Sequence, residues 1–168
     1  MRHFLVDRLV ELERGRRFVA VKTFPMTEDY LHFGFPRAPG EVPFSVVLES
    51  IVQAASLFLC WSHDFAVKAV PILIEGARYG RPVRAGERVT SLQEVVARTP
   101  VSTRMRCRAL TAGELRLEVA FAMGHGRAGG TWTLPVAEGQ RQYFQAIAGE
   151  EAGPDLAEEA WACERVPS

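Results

Sequence analysis

Residues 43–63, PFSVVLESIVQAASLFLCWSH, restrict the fold more than any other stretch of the chain. Val46, Val47, Leu48, Ile51, Val52, Ala54, Ala55, Leu57, Phe58, Leu59 and Trp61 place apolar side chains on nearly every side of a helix. A helix of that kind is enclosed by other elements. Five of its polar residues, Ser45, Glu49, Gln53, Ser56 and Cys60, recur at intervals of 4, 4, 3 and 4 and so share one narrow stripe. Glu49 is therefore expected inside the molecule. There a carboxylate costs several kcal/mol unless it is paired, hydrogen-bonded or protonated. The same two polar residues, Glu49 and Gln53, interrupt the apolar run, and charged flanks are missing, which argues against a membrane span.

Length and composition agree with a core built on this helix. The 168 residues fit one domain, and 48% of them are hydrophobic. Lysine plus arginine and aspartate plus glutamate number 20 each, so no net basic field draws in nucleic acid or an anionic membrane. Cys60, Cys107 and Cys163 have neither metal-ligand nor redox spacing, and their odd number argues against a disulfide framework and for the reducing cytoplasm. The opening MRHFLVDRLVELERG lacks the apolar stretch and cleavage site of a secretory signal.

Along the chain, residues 4–12 and 17–24 read as a strand hairpin turned at residues 13–16. Pro25 and the Thr27-Glu28-Asp29 cluster end the second strand, with a short helical turn expected at TEDYL. Residues 32–43 hold three prolines and two glycines, a shaped loop that delivers Pro43 to the first turn of the helix. After the helix, residues 70–77 form an apolar run suited to a strand covered on both faces, and residues 78–86 a turn-rich edge. Strands over 87–98, 101–111 and 114–123 are separated by Thr99-Pro100 and Ala112-Gly113, short enough for antiparallel hairpins. The glycines of 125–130 mark a break, 131–136 a further strand and 140–147 a short helix. Residues 1–136 thus make one domain, and 137–168 a C-terminal extension that is partly disordered, its acidic end a mobile tail. Segregated strands and one helix call for an α+β fold in which an antiparallel sheet wraps a single long central helix.

The segments LVDRLVELERGRRFVAVKTF, PMTEDYL, FPRAP, PFSVVLESIVQAA and EGARYGRPVRAGERV follow one another in the order of known motifs. They resemble those of the 3-hydroxyacyl-[acyl-carrier-protein] dehydratases of bacterial fatty-acid synthesis, over residues 4–123 with one small length change. The resemblance implies the hotdog fold, a homodimer or higher assembly with acyl tunnels at the subunit interface, and thioesters of acyl carrier protein or coenzyme A as partners. It implies a lyase that removes water from a (3R)-hydroxyacyl thioester. That chemistry takes a base for the C2 proton, an acid for the leaving hydroxyl and backbone N–H groups for the thioester oxygen.

In the family, the base is the histidine of Gly-His-Phe-Pro, the acid is a carboxylate of the central helix, and the N–H donors surround a glycine at its start. Glu49 falls on the acid position and Gln53 on the glutamine four residues on. Aligned on Phe35-Pro36, however, the histidine position is Gly34, and His32 stands two residues too early. In an extended segment His32 and Gly34 point to the same side about 6 to 7 Å apart, so a local shift could return His32 to the site as base. At the helix entrance Val42-Pro43-Phe44 replaces Met-Pro-Gly, so that Phe44 crowds a thioester where glycine leaves room. Gly34, Phe35, Pro43, Phe44, Ser45 and Gln53 make up the expected substrate contacts.

Two other readings share this fold. Val-Pro-Phe-Ser-Val-Val-Leu-Glu also looks like the degenerate hotdog halves of polyketide and polyunsaturated fatty-acid dehydratase regions, which keep the helix, lose the histidine and complete the interface of an active partner. That would make the chain a non-catalytic acyl-binding subunit in a heterodimer with another hotdog protein. Acyl thioesterases, whose helix carboxylate activates water, are the second. No serine or cysteine lies in a nucleophile context. His3, His32, His63 and His125 lie far apart in the chain, which argues against a metal site, and the glycine-rich turns lack the helix of a phosphate-binding loop, so no cofactor is expected. Arg78, Arg81, Arg84 and Arg88 gather at one edge, where a basic rim would steer an acidic carrier protein.

Overall fold

In the computed structural model, residues 5–27, 38–127 and 134–149 are described. The first hairpin is β1 (Arg8–Glu13) and β2 (Arg17–Thr23). The central helix is α1 (Phe44–Ser62), followed by β3 (Val67–Tyr79), β4 (Arg88–Arg98), β5 (Ser102–Thr111), β6 (Glu114–Arg127) and α2 (Leu134–Ile147). The strands form one six-stranded sheet in the order β1-β2-β4-β5-β6-β3, every neighbouring pair antiparallel. This is the α+β architecture expected, with the sheet wrapped around α1.

Alternation along the strands decides what meets the helix. Phe18 and Ala20 of β2, Met105 and Cys107 of β5, and Leu117, Val119, Phe121 and Met123 of β6 share one buried cluster with Val47, Ile51, Ala54, Ala55, Phe58 and Leu59 of α1. Phe18 stacks on Phe58 with ring centroids 4.4 Å apart. The intervening residues Val10, Val19, Val21, Leu92 and Leu110 form a second, separate cluster. The β5–β6 hairpin turns on Ala112 and Gly113, both at positive φ (49° and 77°), as a two-residue turn matched to strand twist requires.

Three expectations change. Residues 70–77 are not covered on both faces: among the described residues β3 is the last strand of the sheet, paired with β6, and every residue from Val70 to Tyr79 is exposed. The glycine break at 125–130 begins later, because His125, Gly126 and Arg127 continue β6 beside Ala69, Lys68 and Val67. Of the strand expected over 131–136, residues Leu134 to Val136 are instead the first turn of α2, while 131–133 lie outside the described residues. Phe144 carries α2 onto the core, stacked on Trp61 at 5.4 Å and edge-on to Phe65 at 5.8 Å. The Tyr143 hydroxyl donates to the Val6 carbonyl at 2.5 Å, and burial pushes it up to about 12. Most of TEDYL and the acidic tail beyond residue 149 lie outside the described residues.

α1 is long and apolar enough to cross a membrane, but 56% of its most apolar window is buried against the sheet, as for a core helix.

Candidate active site

The start of α1 has no side-chain cap. Pro43 is the N-cap, at φ −56° and ψ 136°, and its carbonyl accepts from Val46 N–H at 2.9 Å and Val47 N–H at 3.2 Å. The N–H groups of Phe44 and Ser45 precede these bonds and lie at the positive end of the helix dipole. One turn on, Gln53 Nε2 donates to Glu49 Oε1 at 2.9 Å, and Gln53 Oε1 accepts from the Leu5 N–H at 2.9 Å. Gln53 therefore ties the carboxylate to the N-terminal segment.

Glu49 is not enclosed. Ser45 and Glu49 are exposed, and Pro43, Phe44, Val46, Leu48, Gln53 and Ser56 are half-buried, so the polar stripe marks an open face of α1 in the single chain. The reason is geometric: one sheet covers the face carrying Val47, Ile51, Ala54, Ala55 and Phe58, and nothing in the chain's described residues closes the other. Cys60 departs from the stripe as a buried thiol pushed up by desolvation. Beside the helix entrance, the Phe44 ring lies 4.4 Å from that of Tyr79 at the end of β3. The open helix face and the apolar edge strand are thus joined by an aromatic contact. His32, Gly34 and Phe35 lie outside the described residues.

The arginine rim is partly neutralised. Arg78 pairs with Glu118, whose carboxyl it holds below the usual range, and Arg81 pairs with Glu114. Two histidines distant in sequence meet in space: the rings of His63, at the C-cap of α1, and His125, on β6, are 5.1 Å apart. Only the β6–β3 register brings them together, and no local pattern signals it. Among the described residues no group of three or more His, Cys, Asp or Glu side chains is arranged to hold a metal ion.

Sheet, helix and open stripe define a hotdog protein. Solved structures agree: a Streptococcus mutans protein bound to acetyl-CoA superposes with a TM-score of 0.59 at 12% identity, covering 76% of this chain and 94% of that one. A thioesterase from Pseudomonas aeruginosa gives 0.56 at 15%, covering 71% and 81%. No family model matches the chain. Among curated proteins, the 3-hydroxyacyl-[acyl-carrier-protein] dehydratase FabZ of Variovorax paradoxus is 33% identical over 121 residues, covering 70% of this chain and 80% of the relative. That of an Anaeromyxobacter species is 34% identical over 122 residues, covering 70% and 77%. The FabZ of Symbiobacterium thermophilum is 39% identical over 95 residues, covering 55% and 66%. The chain belongs to the FabZ dehydratase family.

Proposed function

We propose that the protein acts on 3-hydroxyacyl thioesters of acyl carrier protein as a dehydratase subunit, working in a pair of hotdog chains joined along β3. The observation that carries this reading is the open stripe of α1, where Glu49, held by Gln53, stands a turn beyond uncapped backbone N–H groups. Glu49 is the acid for the departing hydroxyl, and the Phe44 and Ser45 N–H groups face the thioester oxygen. His32, from the sequence that precedes the helix, is the base.

Pairing along β3 supplies what the single chain lacks. β3 is a long edge strand whose outer backbone groups have no partner strand among the described residues, and Val70, Ile72, Leu73 and Ile74 on it are exposed. Such an edge is a template for another strand. A second chain there would extend the sheet and bring its own helix toward the open face of α1, making a desolvated slot that favours the neutral, proton-donating form of a carboxyl group.

One specific feature favours a second reading. Gly34 stands at the family's histidine position and Phe44 at its glycine, so two of three catalytic parts are altered. In that reading the protein binds the acyl chain and completes the interface of a histidine-bearing partner. The experiment is turnover of a 3-hydroxyacyl carrier-protein substrate by the purified protein, by its Glu49→Gln variant, and by a mixture with a histidine-containing relative. Turnover by the protein alone that falls with Glu49→Gln supports the dehydratase; turnover only in the mixture supports the partner role. Free thiol released from acyl-CoA would point to a thioesterase instead.

A further inference from the structure

α1 ends in a turn with unusual backbone. Asp64 and Phe65 both lie at positive φ, 53° and 61°, a region that costs a non-glycine residue about 1 kcal/mol or more. The turn is held by Phe65 N–H to the Cys60 carbonyl at 2.7 Å and Ala66 N–H to the His63 carbonyl at 2.9 Å, and β3 begins one residue later at Val67. Whatever secures this turn also secures the first residues of the edge strand.

Side chains from α1, β4, β5, β6, α2 and the β1–β2 turn converge on it. His63, at the helix end, meets His125 of β6 edge to face, and His125 Nε2 shares a 2.9 Å hydrogen bond with the hydroxyl of Thr103, a fully buried residue of β5. His63 Nε2 is itself enclosed and has no hydrogen-bond partner among the described residues. The surrounding charge is mostly positive. Arg14, from the β1–β2 turn, donates to the Trp61 carbonyl and pairs with Asp64; Arg98, at the end of β4, lies against Gly15 of the same turn; and Arg141 of α2 reaches the Asp64 carbonyl. Asp64, the one carboxylate of the turn, is engaged by Arg14.

We propose that the His63–His125 pair is an acid-sensitive latch: neutral, the two rings fasten the α1–β3 turn to β5 and β6, and charged, they release it together with the start of β3. A proton on His63 Nε2 would create a buried N–H with no acceptor, and a second cation 5.1 Å away would repel it. Burial and the neighbouring Arg98 push both imidazoles below the usual histidine value, His63 feeling Arg14 as well and His125 feeling His63. A histidine with a depressed folded-state value binds fewer protons folded than unfolded. Its stabilising effect is therefore complete above the ordinary value of 6.5 and is lost as pH falls below it. The link to assembly rests on the β3 pairing proposed above.

The test follows the two imidazole C–H resonances by NMR from pH 8 to pH 5, with hydrogen exchange at the amides of residues 64–70 and sedimentation over the same range. Both rings are expected to titrate below 6.5, and exchange at 64–70 to quicken at least tenfold between pH 7.5 and pH 5.5 after correction for intrinsic rates. His63→Gln/His125→Gln, whose amides cannot take up a proton in this range, should flatten that change. Titration of both rings at or above 6.5, or the same pH response in the double variant, would overturn the latch. A protein that sediments as a monomer at pH 8 would overturn the β3 pairing and the link to assembly, while the resonances and exchange rates still decide the latch itself.

Discussion

Ile72 is the sharpest place to test the edge of β3. It is 60% exposed in the single chain and sits at the register shift between Pro71 and Leu73. Fully burying an isoleucine is worth about 1.5–3 kcal/mol, so covering the exposed part contributes about 1–2 kcal/mol per chain. Two-fold pairing counts each residue twice. Ile72→Ala, which keeps one carbon of the side chain, should therefore weaken association by about 2–3 kcal/mol per dimer, roughly a 30- to 150-fold rise in Kd. Ile72→Lys adds like charges across the axis and should leave monomer at micromolar concentration. Sedimentation equilibrium measures the Kd, and urea unfolding serves as the control. Substituting an exposed residue should change the stability of the isolated chain by no more than about 0.5–1 kcal/mol. A Kd that moves less than threefold in Ile72→Ala, with Ile72→Lys still paired, would refute the assignment of this edge to an interface.

Other perturbations test the remaining structure. Glu49→Gln should reduce turnover by about 10²- to 10⁴-fold, the usual worth of a general acid, without altering the urea midpoint by a measurable amount, because the side chain is exposed. Phe58→Ala, removing a ring with no exposed surface from between α1 and β2, should cost about 3–5 kcal/mol and lower Tm by about 6–20 °C in calorimetry. Ala112→Asn puts Asn-Gly into the β5–β6 turn and should gain about 0.5–1 kcal/mol in urea unfolding, since Ala112 now holds a φ of 49°. Because Arg78 holds Glu118 below the usual carboxylate range, its contribution is present above the unfolded value of 4.5 and fades as pH falls through the folded one. Arg78→Ala should raise the Glu118 value toward 4.5 in a carboxyl-resolved NMR titration.

Much of the fold could be read from local pattern because local pattern caused it. Gly15, at φ 73°, turns the first hairpin where Glu13-Arg14-Gly15-Arg16 announces a turn, and Thr99-Pro100 and Ala112-Gly113 divide β4, β5 and β6 as their spacing requires. α1 announces itself by an apolar surface that no strand can use. What local pattern does not carry is the order of strands across the sheet. β3 follows the helix in sequence yet pairs with β6, so the meeting of His63 with His125 depends on contacts 62 residues apart along the chain. The start of α2 departs from local pattern for a related reason: Thr131-Trp132-Thr133 favours strand, but the helical register that seats Phe144 between Trp61 and Phe65 begins at Leu134.

The two largest departures from the sequence reading have one origin. An all-round apolar helix and an apolar strand read as buried, yet Glu49 is exposed on α1 and Val70, Ile72, Leu73 and Ile74 are exposed on β3. The Phe44–Tyr79 contact joins these two surfaces into one. Isolated exposed apolar residues need no explanation, but consecutive ones on an edge strand beside a half-covered apolar helix form a contiguous patch. The hydrophobicity of a chain reports burial in the state in which it functions, whereas the coordinates of one chain report burial within that chain. Their difference falls along β3 and the open stripe of α1, and not along β2, buried on both faces from Phe18 to Lys22, or β5, which alternates from Thr103 to Cys107. On that account the stripe that carries Glu49 is legible from spacing, its match to the family's acid position comes from the resemblance, and its enclosure waits on the second chain proposed above.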